Sequence, residues 1–266
     1  MSSEPARIAL IGLGAIGRTL AARLTQQGED FALAALLRRP APGAALAHIT
    51  PFLSLEALIA WRPRLVVECA GHEAVREIVP PILSRGIPVV IASVGALADG
   101  GILAQVRNCA RAGGVKAGIV SGAVGGLDAL AAARYAGLES VTYVGRKPPR
   151  AWEGTPAADL VDLDKVSEPV AFFEGCAGEA ATAYPKNANV TAAIALAGVG
   201  FERTRVKLLA DPTLSANAHE IVAEGAFGSF RIRLENAALP ENPRSSLLSA
   251  LSLEHAVRRS IEPIDL

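Results

Sequence analysis

Hydrophobic positions along this chain follow one rhythm up to about residue 120 and another beyond it. Arg7-Ile8-Ala9-Leu10-Ile11 reads as a buried strand and runs into Gly12-Leu13-Gly14-Ala15-Ile16-Gly17, after which apolar residues recur at helical spacing up to Gly28. Residues 31–37 predict a second strand, 65–69 another, 73–84 a helix closed by Gly86, and 88–92 a further strand. A helix from about 102 to 111 and a strand over 115–120 continue the alternation. Near-continuous apolar strands separated by helices predict a doubly wound parallel sheet.

From Ser121 onward the pattern becomes the two-residue alternation of an antiparallel sheet. Strands are expected at 140–146, 204–210, 218–224 and 229–236, and two short helices flank Tyr184-Pro185-Lys186-Asn187-Ala188-Asn189. Residues 151–169 show no assignable period. Ser245 is placed to cap a terminal helix reaching about Arg259, whose Leu247, Leu248, Leu251 and Val257 suggest docking on the N-terminal domain. The expected fold class is α/β. It comprises an N-terminal Rossmann domain over 1–120, with the terminal helix of about 245–266 packed back on it, and a C-terminal α+β catalytic and dimerisation domain over 121–244.

The glycine run gives the first domain a chemistry. Gly12 suits the tight turn, Gly14 lets backbone approach a pyrophosphate, and Gly17 lets the helix pack against the strand. Ala15 and Ile16 open that helix, whose free N–H groups face the phosphates. A dinucleotide site therefore centres on Gly12, Gly14, Ala15, Ile16 and Gly17. The strand over 31–37 ends in Arg38-Arg39 rather than in the acid that receives the ribose 2′-hydroxyl of NAD. Arg38 could hold a 2′-phosphate, so NADP or both cofactors are expected, with a solvated strand end as the alternative.

Composition narrows the class. The formal net charge is zero, which leaves no electrostatic footprint for nucleic acid or an anionic membrane. Apolar runs are broken by Gly, Pro or charge before any could span a bilayer, and Met-Ser-Ser-Glu-Pro lacks the regions of a secretory signal. The three cysteines, Cys69, Cys109 and Cys176, are widely spaced and suggest neither a disulfide framework nor a metal site. A cytoplasmic enzyme is expected, with no metal, and the C-terminal sheet offers a homodimer surface.

Of four histidines, His219 has the most suggestive setting. In Ala218-His219-Glu220-Ile221-Val222-Ala223-Glu224 it shares a face with Ile221 and Ala223, so the ring points to the packed side. With an ordinary pKa of about 6.5 it could transfer protons at neutral pH, or it could be a hydrogen-bonded core residue. Ser121-Gly122-Ala123-Val124-Gly125-Gly126 is a second glycine-rich turn, readable as a nicotinamide approach or as a simple crossover.

The chain resembles the L-aspartate dehydrogenases. The resemblance rests on Gly12-Leu13-Gly14-Ala15-Ile16-Gly17, on Ser121 to Leu130, on Tyr184-Pro185-Lys186-Asn187-Ala188-Asn189-Val190 and on Ala216-Asn217-Ala218-His219-Glu220-Ile221. It implies that His219 is the catalytic histidine and that Ala123 and Asn189 contact the nicotinamide cofactor. It also implies reversible oxidative deamination of L-aspartate to iminoaspartate, then oxaloacetate and ammonia, with NAD or NADP taking the hydride and the product feeding NAD biosynthesis. Lys186 is the first candidate for a substrate carboxylate, against the alternative of a surface lysine. Homoserine dehydrogenase, dihydrodipicolinate reductase and a non-catalytic NAD(P)-sensing module are the competing readings.

Overall fold

The computed structural model describes residues 4–26, 31–39, 48–240 and 242–264, with positions 186, 243 and 244 described by their backbone alone. The chain divides into two compact units, Met1–Val120 with Ser249–Leu266, and Ser121–Leu248.

The first unit alternates as the apolar rhythm requires. Its elements are β1 (Ala6–Ile11), α1 (Ala15–Gln26), β2 (Phe31–Leu36), β3 (Ile49–Phe52), α2 (Leu55–Ala60), β4 (Leu65–Glu68), α3 (His72–Glu77), α4 (Val79–Ser84), β5 (Val89–Ile91), α5 (Gly100–Ala112) and β6 (Ala117–Ile119). The six strands pair in parallel in the order β3-β2-β1-β4-β5-β6. That order places β1 at the centre of a doubly wound Rossmann sheet, so the expected α/β class holds.

Two local expectations are corrected. Residues 73–84 form two helices rather than one, because Pro80 and Pro81 lack an N–H and fit only a first helical turn, so the chain restarts at Val79. The short strand β3 and helix α2 were not anticipated. Ile49-Thr50-Pro51-Phe52 is too short for a period and carries a proline, tolerated because β3 is an edge strand.

Glu68 ends β4 fully buried. Its carboxylate accepts from the backbone N–H groups of Ala70 (2.7 Å) and Gly71 (2.8 Å), and from both the N–H and the hydroxyl of Ser93 (3.0 Å each). One charged side chain thus ties together the loops that follow β4 and β5 at the carboxyl edge of the sheet. That edge is where such sheets bind ligands.

The second unit contains α6 (Leu127–Ala133), β7 (Leu138–Lys147), α7 (Ala157–Leu160), β8 (Val170–Cys176), α8 (Ala177–Ala183), α9 (Ala188–Ala197), β9 (Thr204–Ala210), β10 (Asn217–Gly225), β11 (Gly228–Asn236), β12 (Ala238–Leu239) and β13 (Asn242–Ser246). Its main sheet, β11-β10-β7-β9-β8, is mixed rather than purely antiparallel, since β7 and β9 run side by side in the same direction. The patternless stretch after Pro148 is anchored by Trp152. That side chain is fully buried, donates from Nε1 to the Leu209 carbonyl (2.9 Å) and meets Phe172 edge-on. A single tryptophan fixes this stretch, so no periodicity signalled it.

The last helix, α10 (Leu247–Arg259), is capped by Ser246 and not Ser245: the Ser246 hydroxyl accepts from Leu248 N–H, while Ser245 lies inside β13. Its Leu253 and Val257 enter the core of the first unit beside Ile8, Leu20, Leu24 and Val67. Glu254, nearly buried, pairs with Arg23 of α1 and with Arg258 at 3.0 Å.

Replacing Glu68 by Gln sets an amide donor against N–H groups that now face a carboxylate. Urea unfolding should show a loss of about 2–4 kcal/mol with unchanged slope. An unchanged midpoint would show that the four hydrogen bonds contribute nothing net.

Candidate active site

The turn after β1 has the shape that a dinucleotide requires. Gly12 has φ +91°, and a Cβ there would lie 2.8 Å from Ala70 Cβ, while a Cβ on Gly17 would lie 2.4 Å from the Gly12 carbonyl oxygen. Gly14, by contrast, is exposed, with nothing within 4 Å of the position its Cβ would take. Crowding behind and open space in front are what a backbone cradle for phosphates needs. Ala15 and Ile16 start α1 half-exposed, with no acid in its first turn.

Arg38 stands exposed beyond β2, but it has a partner: its guanidinium lies 2.5 Å from the Glu73 carboxylate. Glu73 belongs to α3, so an acid from that helix stands beside the residues that follow β2.

In the second unit the functional side chains gather on one face of the sheet. Tyr143, Gly145 and Lys147 alternate along β7 on that face, and His219 of β10 is the register partner of Gly145. The Tyr143 hydroxyl and His219 Nδ1 are 2.8 Å apart, both side chains buried. A Cβ on residue 145 would meet the Tyr143 hydroxyl at 2.7 Å, so the missing side chain creates the passage between the two rings.

Burial pushes the His219 pKa down to about 4, with the Lys147 charge adding to the effect. This corrects the expectation of an unperturbed imidazole: the ring is neutral at pH 7. Burial raises the Tyr143 phenol, which therefore stays protonated. Desolvation lowers the half-buried Lys147 to about 8. Its ammonium donates to Asn187 Oδ1 and lies 4.8 Å from the centre of the Trp152 ring.

Lys147 is the functional candidate that sequence reasoning missed. It lines a cavity of about 540 Å³ together with Asn187, Asn217, Asn236, Ser245 and Ser246. His219 lies two residues along β10 from Asn217, on the same strand face. Asn236 also donates to the Ala123 carbonyl at 2.7 Å, which ties the second glycine-rich turn to the cavity wall. Asn189 is exposed in the first turn of α9. The backbone of Lys186 belongs to the 3-10 turn Pro185–Asn187, and its side chain lies outside the described residues. Among the described residues no group of three or more His, Cys, Asp or Glu side chains could hold a metal, and no helix is long and apolar enough to cross a membrane.

The family model described as aspartate dehydrogenase, C-terminal, matches residues 128–260. The L-aspartate dehydrogenase of Ruegeria pomeroyi is 49% identical over 257 residues, covering 95% of this chain and 92% of the relative. The chain belongs to the L-aspartate dehydrogenase family. A second member, from Ralstonia nicotianae, is 43% identical over 94% of this chain and 96% of its own length. The crystal structure of aspartate dehydrogenase from Thermotoga maritima superposes with a TM-score of 0.77 at 25% identity, covering 98% of this chain and 99% of that one. Residues 12–119 match the model described as homoserine dehydrogenase, NAD binding domain, which makes the first unit NAD-binding in kind. The L-aspartate dehydrogenase likeness instead runs through both units.

In this L-aspartate dehydrogenase relative the buried imidazole makes stability depend on pH. The unfolded chain takes up a proton on His219 below about 6.5, and the fold refuses it until about 4. The His219 contribution is therefore complete above 6.5 and is lost as the pH falls from 6.5 to 4, by about 3 kcal/mol at most. Unfolding free energies measured across that window should fall more steeply for the native chain than for His219→Asn, and parallel curves would contradict a buried neutral ring.

Proposed function

We propose that the chain catalyses the reversible oxidative deamination of L-aspartate, using water and NAD or NADP and giving oxaloacetate, ammonium and the reduced cofactor. The observation that carries this reading is a half-buried ammonium lining a polar cavity, with a neutral buried imidazole on the same face of the sheet, in a chain of a dinucleotide-binding enzyme family. The fit of the Gly12–Gly17 turn to a pyrophosphate supports the cofactor, which supplies the hydride acceptor when bound.

His219 holds Nδ1 against the Tyr143 oxygen, which leaves Nε2 for proton transfer. In the tautomer that carries its hydrogen on Nδ1, Nε2 is the free base and accepts a proton from the substrate ammonium or from attacking water. In the amination direction the same atom returns it. The fixed tyrosine sets the ring plane, and its hydroxyl can accept from Nδ1–H or donate to a bare Nδ1 as the ring changes tautomer, a positioning role.

Lys147 answers the substrate's charge. A half-buried ammonium that meets a neutral amide and a ring face gains from an anion, and a dicarboxylic acid brings two carboxylates. Binding of a carboxylate would raise the Lys147 pKa and keep it charged at neutral pH. Lys186 stays a second candidate for the other carboxylate. Ala123 and Asn189 as cofactor contacts, a cytosolic setting and a homodimer belong to the same proposal. Three free cysteines support the reducing compartment, and the exposed Arg231, Arg233 and Glu235 edge strand leaves a face for a second copy.

A panel of amino acids offered with NAD and NADP, followed at the reduced-nicotinamide absorbance, should respond to L-aspartate. Turnover of homoserine in its place would overturn the substrate. His219→Asn should lower kcat by roughly 10²- to 10⁴-fold while the Kd for the dinucleotide stays near that of the native chain. Lys147→Met should raise the KM for L-aspartate by roughly 10- to 100-fold, the loss of one charge-assisted contact. If KM is unchanged and only kcat falls, Lys147 serves the chemistry and not the carboxylate.

A further inference from the structure

The Arg38–Glu73 pair occupies a particular place in the sheet. β2 and β4 flank β1 on its two sides, and all three strands run parallel. Arg38 follows β2 and Glu73 follows β4, so their ion pair spans the carboxyl edge at which the Gly12–Gly17 turn stands. Both side chains are exposed, 73% and 57%, and the Glu77 carboxylate, one turn further along α3, also favours the charged guanidinium. An exposed pair of this kind is weak and exchanges readily. It can therefore be opened by a competing anion.

We propose that Glu73 sets the balance between NAD and NADP, by occupying the guanidinium that a ribose 2′-phosphate needs while offering an acceptor to a ribose 2′-hydroxyl. The proposal rests on reading the first unit as dinucleotide-binding. A phosphate and a carboxylate both seek the same planar donor fork of Arg38, and two anions on one fork repel each other. A hydroxyl is neutral and donates to the carboxylate, so NAD meets no such conflict. Glu73 therefore acts in space as the acid that NAD-binding sheets of this type carry at the end of the second strand. Arg38 and Arg39 keep NADP admissible, and Glu73, reinforced by Glu77, restrains it.

Dissociation constants for NAD and NADP, measured calorimetrically without substrate, test this in the native chain, Glu73→Gln, Arg38→Ala and the double variant. Glu73→Gln should tighten NADP by roughly three- to tenfold and leave NAD equal or slightly weaker. The gain should shrink with added salt and disappear when Arg38 is also replaced. An unchanged NADP-to-NAD ratio in a Glu73→Gln protein that still binds NAD overturns the role of Glu73. A native chain that binds neither dinucleotide instead overturns the reading of the first unit, and this proposal with it.

Discussion

Tyr143 reaches His219 across a position that has no side chain, and the arrangement of the C-terminal unit follows from that contact. The two residues sit on neighbouring strands, and the phenol leans over Gly145 to meet the imidazole. Any larger residue at 145 would press on the phenol and on Leu208, whose Cδ2 would lie 3.0 Å from the new Cβ. The ring of His219 is thereby fixed from Nδ1. Lys147, two residues further along the same strand, lines the cavity on that face. Imidazole, phenol and ammonium are thus spaced by the pleat of two strands, which holds them more rigidly than loops could.

Burial sets the charges of this group. A histidine in water would be partly protonated at neutral pH, and a lysine fully so. Here the same desolvation drives both towards their neutral forms, and the Lys147 charge adds to the effect on the imidazole. In the proposed reaction a substrate carboxylate beside Lys147 would shift that balance towards the charged ammonium.

The elements and the glycine turn were legible because their signals are local. A strand, a turn with three glycines and a helix follow one another within the first 26 residues described, and the face of His219 follows from alternation alone. What escaped depends on residues distant in sequence. Lys147 was passed over because the predicted strand stopped at Arg146, one residue short, and nothing local shows that Asn187 and Trp152 will enclose it. Glu68 looks like the polar end of an apolar run until Ser93 arrives from 25 positions away. Glu73 acquires meaning only when β4 is laid beside β1. The proline pair at 80 and 81 was visible but was outweighed by the apolar spacing around it.

The terminal helix has a consequence for how the protein is made. Leu253 and Val257 are fully buried in the core that Ile8 and Leu20 begin, and Glu254 joins Arg23 from 231 residues away. The nucleotide-binding unit therefore lacks part of its core until the last residues leave the ribosome. During that interval the groove beside α1 is uncovered and apolar. The C-terminal unit, contiguous in sequence, is free to fold first. Synthesis thus runs from the N-terminus, but folding can be completed in the opposite order.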